Sequence, residues 1–135
     1  MHKKSQVSME YVIIVAFVVA ITVPMIVIYM THSNETNDDI KSNQAEQIIK
    51  KIVDSAESVY YLGEPSKTTM KAYFPRNIFD ILIGNKELTF RMKNRNGISD
   101  ITIMAAVDIN GTLPTTSGIH YITIESKGDY VWIES

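Results

Sequence analysis

Residues 6–30 read Q-V-S-M-E-Y-V-I-I-V-A-F-V-V-A-I-T-V-P-M-I-V-I-Y-M, and from Tyr11 to Met30 this stretch carries no charge. As a helix rising ~1.5 Å per residue, the Tyr11–Met30 run is about 30 Å long, the hydrocarbon thickness of a bilayer. Lys3 and Lys4 precede it, whereas Asn34, Glu35, Asp38 and Asp39 follow it. By the positive-inside rule this asymmetry places the N-terminus in the cytoplasm and everything after the run on the far side. Val, Ile, Ala and Met are spread around the helix rather than gathered into one stripe, as expected of a segment surrounded by lipid or by copies of itself. Pro24 falls inside the run and removes one backbone donor, so a kink or a locally opened turn is expected there. One residue breaks the apolar logic: Glu10 stands at the entrance.

Three readings of the run are open. A secretory signal peptide has a shorter apolar region and a small-residue cleavage site after it, for which Thr31-His32-Ser33 is a mediocre candidate. A plain signal anchor accounts for the length and the lysines, with Glu10 favoured at a helix N-terminus by ~0.3–1 kcal/mol through the macrodipole. Neither accounts for Gln6 and Ser8. Lys3-Lys4-Ser5 followed by Gln6-Val7-Ser8-Met9-Glu10-Tyr11 and an apolar run resembles the class III signal peptide of archaeal type IV pilin-like proteins.

That resemblance covers only the N-terminal quarter of the chain. It implies a leader of residues 1–5, removed by a prepilin peptidase between Ser5 and Gln6. The processing motif is then Lys3, Lys4, Gln6, Ser8, Glu10 and Tyr11, with Glu10 at the fifth mature position. It further implies a membrane-inserted precursor that, once trimmed, polymerises as a homo-oligomer or mixed-pilin filament at the cell surface. An assembly ATPase and a membrane platform protein are the partners it implies, with Gln6, Glu10 and Pro24 as assembly residues. Physically, a carboxylate within a bilayer costs on the order of 2.5–3.5 kcal/mol, and less near the interface. Drawn into a bundle of packed helices, Glu10 needs a cation, and the amine freed at Gln6 is the natural one. Loss of Lys3 and Lys4 moves the formal charge from −2 to −4 and removes the anchor to the cytoplasmic face.

The rest of the chain reads as an α+β head. Residues 6–33 are the hydrophobic helix and 34–135 an extracellular domain, with a helix over about 38–62 and a sheet over about 68–134. Thr31 to Asn37 is either a linker or a weak patch in one continuous helix. Asp38 and Asp39 are placed to cap a helix whose apolar positions, Ile48, Ile49, Ile52, Val53, Ala56, Val59 and Tyr60, recur at helical spacing. Gly63 and Pro65 end it. Beyond it, Met70-Ala72-Phe74, Leu88-Phe90-Met92, Ile101-Ile103-Ala105-Val107 and Ile122-Ile124 alternate at strand period, and Ile78–Ile83 and Tyr130–Ile133 add two more candidates. Gly84-Asn85, Asn96-Gly97 and Lys127-Gly128-Asp129 are turn signals. These predict an antiparallel sheet of roughly four to six strands covering the amphipathic helix.

Little else points to chemistry. With 13 basic and 15 acidic residues and a pI near 5.9, the chain offers no basic field for nucleic acid. It contains no cysteine, and His2, His32 and His120 have no ligand spacing, so neither a metal, a cofactor nor an enzymatic activity is expected. Asp108-Ile109-Asn110-Gly111 lacks the ligands of a calcium loop and reads as a turn. Asn34-Glu35-Thr36 and Asn110-Gly111-Thr112 are sequons for N-glycosylation on the outer side. The expectation is a structural filament subunit, pilin or minor pilin; the alternative is a monomeric signal-anchored cell-surface binding protein.

Overall fold

The helical stripe around Ile52 organises the domain. A computed structural model describes the backbone of His2–Ser135 and the side chains from Gln6 onward; the expected leader side chains, Lys3, Lys4 and Ser5, lie outside the described residues. The chain divides into two units, Met1–Asn37 and Asp38–Ser135. One helix, α1 (His2–Leu62), contributes to both. It passes through Thr31–Asn37 without a break, which decides between the linker and the continuous helix. The reason is local: Thr31, Asn34 and Thr36 each donate a side-chain hydrogen bond to the carbonyl four residues back, at 3.0, 2.6 and 2.9 Å. Their polar groups are thus satisfied on the helix itself and offer the backbone no competing non-helical partner. Asp38 and Asp39 consequently cap no helix start. Asp38 instead pairs with Lys41 at 3.7 Å, one turn on.

The fold class is the expected one, a long apolar N-terminal helix with an amphipathic segment packed on a small sheet structure. Ala45, Ile49, Ile52, Val53, Ala56 and Val59 are all buried, with Ile48 and Tyr60 half-covered at their margin. Gly63, at φ +78°, stops the helix in the left-handed conformation that a β-carbon disfavours, and its N–H donates to the Tyr60 carbonyl at 3.0 Å.

Seven strands follow: β1 (Lys67–Phe74), β2 (Ile78–Gly84), β3 (Glu87–Asn94), β4 (Gly97–Met104), β5 (Ile109–Thr112), β6 (Gly118–Ser126) and β7 (Val131–Glu134). They form two sheets, one in the order β1-β6-β7-β5 and one in the order β2-β3-β4. Every pairing is antiparallel except β5 with β7, which is parallel. The β2–β3 hairpin turns on Asn85 and Lys86, both at positive φ (52° and 65°), the primed geometry that suits the twist of flanking strands. Inward-facing Phe74, Leu88, Phe90, Met92, Ile122, Ile124, Val131 and Ile133 close the core over α1. At its centre Phe74 and Phe90 meet edge to face, 5.4 Å between centroids.

Further expectations are corrected: the strands number seven in two sheets, where one sheet of roughly four to six was expected. The segment from Asp108 to Gly111 is not a turn: Ile109 begins β5, whose pairing with β7 is set by residues more than twenty positions away. Ala105 and Val107, expected at the end of a strand, are buried in the connection after β4. There the Ala105 N–H donates to the Lys86 carbonyl at 2.7 Å and the Ala106 N–H to Glu57 Oε1 at 2.8 Å, fixing that loop onto α1.

The β5–β7 pair depends on Gly111. A β-carbon on this residue would collide with the backbone carbonyl of Ile133, and its φ of +145° is unfavourable for other residues. Gly84 also has positive φ, but nothing lies within 4 Å of an added β-carbon. Gly111→Ala is expected to destabilise the protein by about 1–3 kcal/mol or more, and Gly84→Ala by distinctly less. Denaturant unfolding of the full chain in detergent, followed by tryptophan fluorescence of Trp132 in β7, checks the difference.

Candidate functional site

The surface that stands out lies on the first unit. Between Val7 and Met30 every large apolar side chain is exposed, from Val15 at 42% to Tyr29 at 75%. These residues occupy successive positions of α1, so the exposure covers the whole circumference rather than one face. The helix is long and apolar enough to cross a membrane. Its one polar side chain between Tyr11 and Met30 other than the tyrosines is Thr22, whose hydroxyl donates to the Val18 carbonyl at 2.7 Å. In hydrocarbon, where water cannot satisfy a hydroxyl, that internal bond makes Thr22 tolerable.

Pro24 also lies within α1; of the kink or locally opened turn expected there, the opened turn is not seen, because the helix is continuous through this residue. Proline has no N–H for the Ala20 carbonyl, so one hydrogen bond of the ladder is missing at that point.

At the entrance, Gln6, Ser8, Glu10 and Tyr11 are all exposed on α1. Gln6 and Glu10 are four residues apart and therefore share a face, about 6 Å apart along the axis. Helical side chains lean toward the N-terminus, which directs the Glu10 carboxylate back along the helix toward Gln6.

The two sequons differ in conformation. Asn34 is helical and its Nδ2 is held by the Met30 carbonyl at 2.6 Å. Asn110 is exposed on the short edge strand β5, where its Oδ1 accepts the Gly111 N–H at 2.8 Å. His120 serves locally: its Nε2 donates to the Thr116 carbonyl at 2.7 Å while the ring packs on Phe74 at 4.8 Å between centroids. Among the described residues, no three His, Cys, Asp or Glu side chains gather where they could hold a metal. The chain matches no family model, no curated protein and no solved structure.

The apolar run has a measurable energetic consequence. Each Arg at the centre of a membrane helix costs on the order of 2.5–3.5 kcal/mol on insertion scales, while each Val or Ile contributes only roughly −0.3 to −0.6. Val18→Arg with Ile21→Arg therefore nearly cancels the gain of the whole run. The double variant is expected to leave the carbonate-resistant membrane pellet in which the unaltered chain is retained. Equal retention of both would contradict a membrane role for this segment.

Proposed function

We propose that this chain is a pilin-like structural subunit, inserted as a precursor, trimmed before Gln6 and polymerised through α1 into a surface filament. The observation that carries the proposal is the pairing of two features on one helix. A charge-free run exposes apolar side chains on every side, and a lone carboxylate stands one turn beyond Gln6, the residue at which the trimmed chain is expected to begin.

Trimming does two physical jobs in this scheme. It removes Lys3 and Lys4, whose ammonium groups hold the chain at the cytoplasmic face and cannot follow an apolar helix into a bundle without a large desolvation cost. It also creates an α-amino group at Gln6. Packed among other helices, Glu10 and that amine neutralise one another, and removing either leaves the other charge buried and unpaired, typically a loss of 3–5 kcal/mol. The pairing thus makes assembly conditional on processing. Before cleavage the partner charge does not exist, so the precursor stays in the lipid as a monomer.

The head faces the outside in this scheme, and the assembly ATPase, platform protein and prepilin peptidase act on the precursor from the membrane and the cytoplasm. Of the two sequons, Asn110 is then the one placed to carry a glycan, because Asn34 is locked in the helix by its own amide. The rival, a monomeric anchored binding protein, keeps Lys3 and Lys4 and gives Glu10 no role beyond the helix dipole.

Glu10→Ala separates these two. The variant is expected to be inserted and trimmed as the unaltered chain is, while its yield in filaments sheared from the cell surface falls at least ~10-fold, the loss expected of an unpaired buried charge. Quantifying the chain in the sheared fraction against the membrane fraction checks this. An unchanged filament yield would remove the charge-pairing mechanism.

A further inference from the structure

Two strand edges of the head have no partner. β1 is paired by β6 on one side only and β4 by β3 on one side only, while β5 and β2, the other two sheet ends, lie beside each other. The head is therefore bounded by β1 at one end of the strand series and β4 at the other. Soluble domains usually guard such edges with lysines, prolines or bulges. β4 has none of these: its eight residues run in unbroken register with β3, with Asp100 as their one charge. Ile98 and Met104 on it are 67% and 72% exposed. β1 opens onto a groove walled by mixed polar and apolar residues of α1, with Gln44, Ile48 and Lys51 beside Met70–Tyr73, and Ser55, Val59 and Leu62 beside Thr68.

We infer that β4 of one copy adds as an antiparallel strand to β1 of a second copy. The faces of the two strands determine the register. On β1 the outward residues are Lys67, Thr69, Lys71 and Tyr73, and on β4 they are Ile98, Asp100, Thr102 and Met104. The hydroxyl ladders confirm these directions, with Thr69 3.4 Å from Thr123 and Thr102 2.8 Å from Thr89 across the outer surface. Setting Lys71 opposite Asp100 of the neighbour places Tyr73 opposite Ile98, Thr69 opposite Thr102 and Lys67 opposite Met104. An opposite-charge pair, an aromatic–aliphatic pair and a Thr–Thr pair fall into line at once, each a favourable cross-strand combination. Sliding by two residues in either direction sets Lys71 against Ile98 or Thr102 and leaves Asp100 unmatched. Asp100 also touches Arg91 at 3.6 Å, and a carboxylate has lone pairs enough to accept from both.

Because the donor edge and the acceptor edge are different surfaces, each copy can engage two neighbours, and the contact propagates without closing. Backbone hydrogen bonds supply the affinity and the side-chain pairs the register, as in other strand additions. The inference rests on the filament reading for its setting, since polymerised helices supply copies at the local concentration that one strand pairing needs.

The chain contains no cysteine, so introduced thiols report cleanly. Thr69→Cys with Thr102→Cys in the full chain, oxidised on intact cells, is expected to give a covalent ladder of dimer, trimer and higher species on non-reducing electrophoresis, while either single variant gives none. Absence of a ladder while both cysteines label with a small maleimide overturns the pairing. Dimers from Thr102→Cys alone also overturn it, in favour of β4 against β4. The N-terminal residue of the same sample keeps the two claims apart. Gln6 at the terminus without a ladder sinks the strand pairing alone, and Met1 with a ladder sinks the filament reading alone.

Discussion

Twenty consecutive residues that carry no charge and turn apolar side chains to every side of a helix cannot be left in water. Burying apolar surface is worth roughly 25 cal/mol per Å², and here the surface to be covered belongs to almost every residue from Val7 to Met30. Covering one face would not suffice, which distinguishes this segment from the stripe between Ala45 and Val59 that the head covers with its own strands. Lipid covers all faces of a single helix, and sister helices cover all faces of a helix in a bundle. Among apolar surroundings the transfer between the two costs little for Val or Ile. It costs much for a charge, so in the proposed assembly the ionised groups at the start of the helix would decide when such a transfer takes place.

The head solves a separate problem. Its core is built from the second part of α1 and the inner faces of two sheets, and it holds its own connections in place with bonds such as Ala106 N–H to Glu57 Oε1. Across the outer face of the three-stranded sheet, Arg91 lies between Asp80 and Asp100 at 3.5 and 3.6 Å. Such half-exposed pairs contribute at most about 1 kcal/mol each to stability, and their effect is rather to fix which residues face outward. What the domain leaves exposed is therefore informative: two bare strand edges and an outer surface bearing Tyr73, Ile119 and Tyr121.

Periodicity revealed much of this architecture because its signals are local. The stripe from Ile49 to Val59 repeats at the helical period, Met70-Ala72-Phe74 and Leu88-Phe90-Met92 alternate at the strand period, and Gly63 marks the end of α1. Signals that depend on distant partners were not legible. The four residues Ile109–Thr112 contain a glycine and too few positions to show alternation, and only the parallel approach of β7 makes them a strand. The division into two sheets is likewise decided by which strands meet. Polar Thr31–Asn37 looked weak as a helix because propensities count such residues as competitors for the backbone, whereas here they bond back onto their own turn. At the candidate site the balance is reversed. The spacing of Gln6 and Glu10 is visible in the sequence, but the partner proposed for Glu10 is an amine that would exist only after a bond had been cut.

The intact mass and N-terminal residue of the protein taken from its own cells test the central claim most directly. A mature chain that starts at Gln6 and is recovered in sheared filaments is the result expected. A chain that still begins with Met1-His2-Lys3-Lys4-Ser5 and occurs only as separate molecules in the membrane would contradict the account.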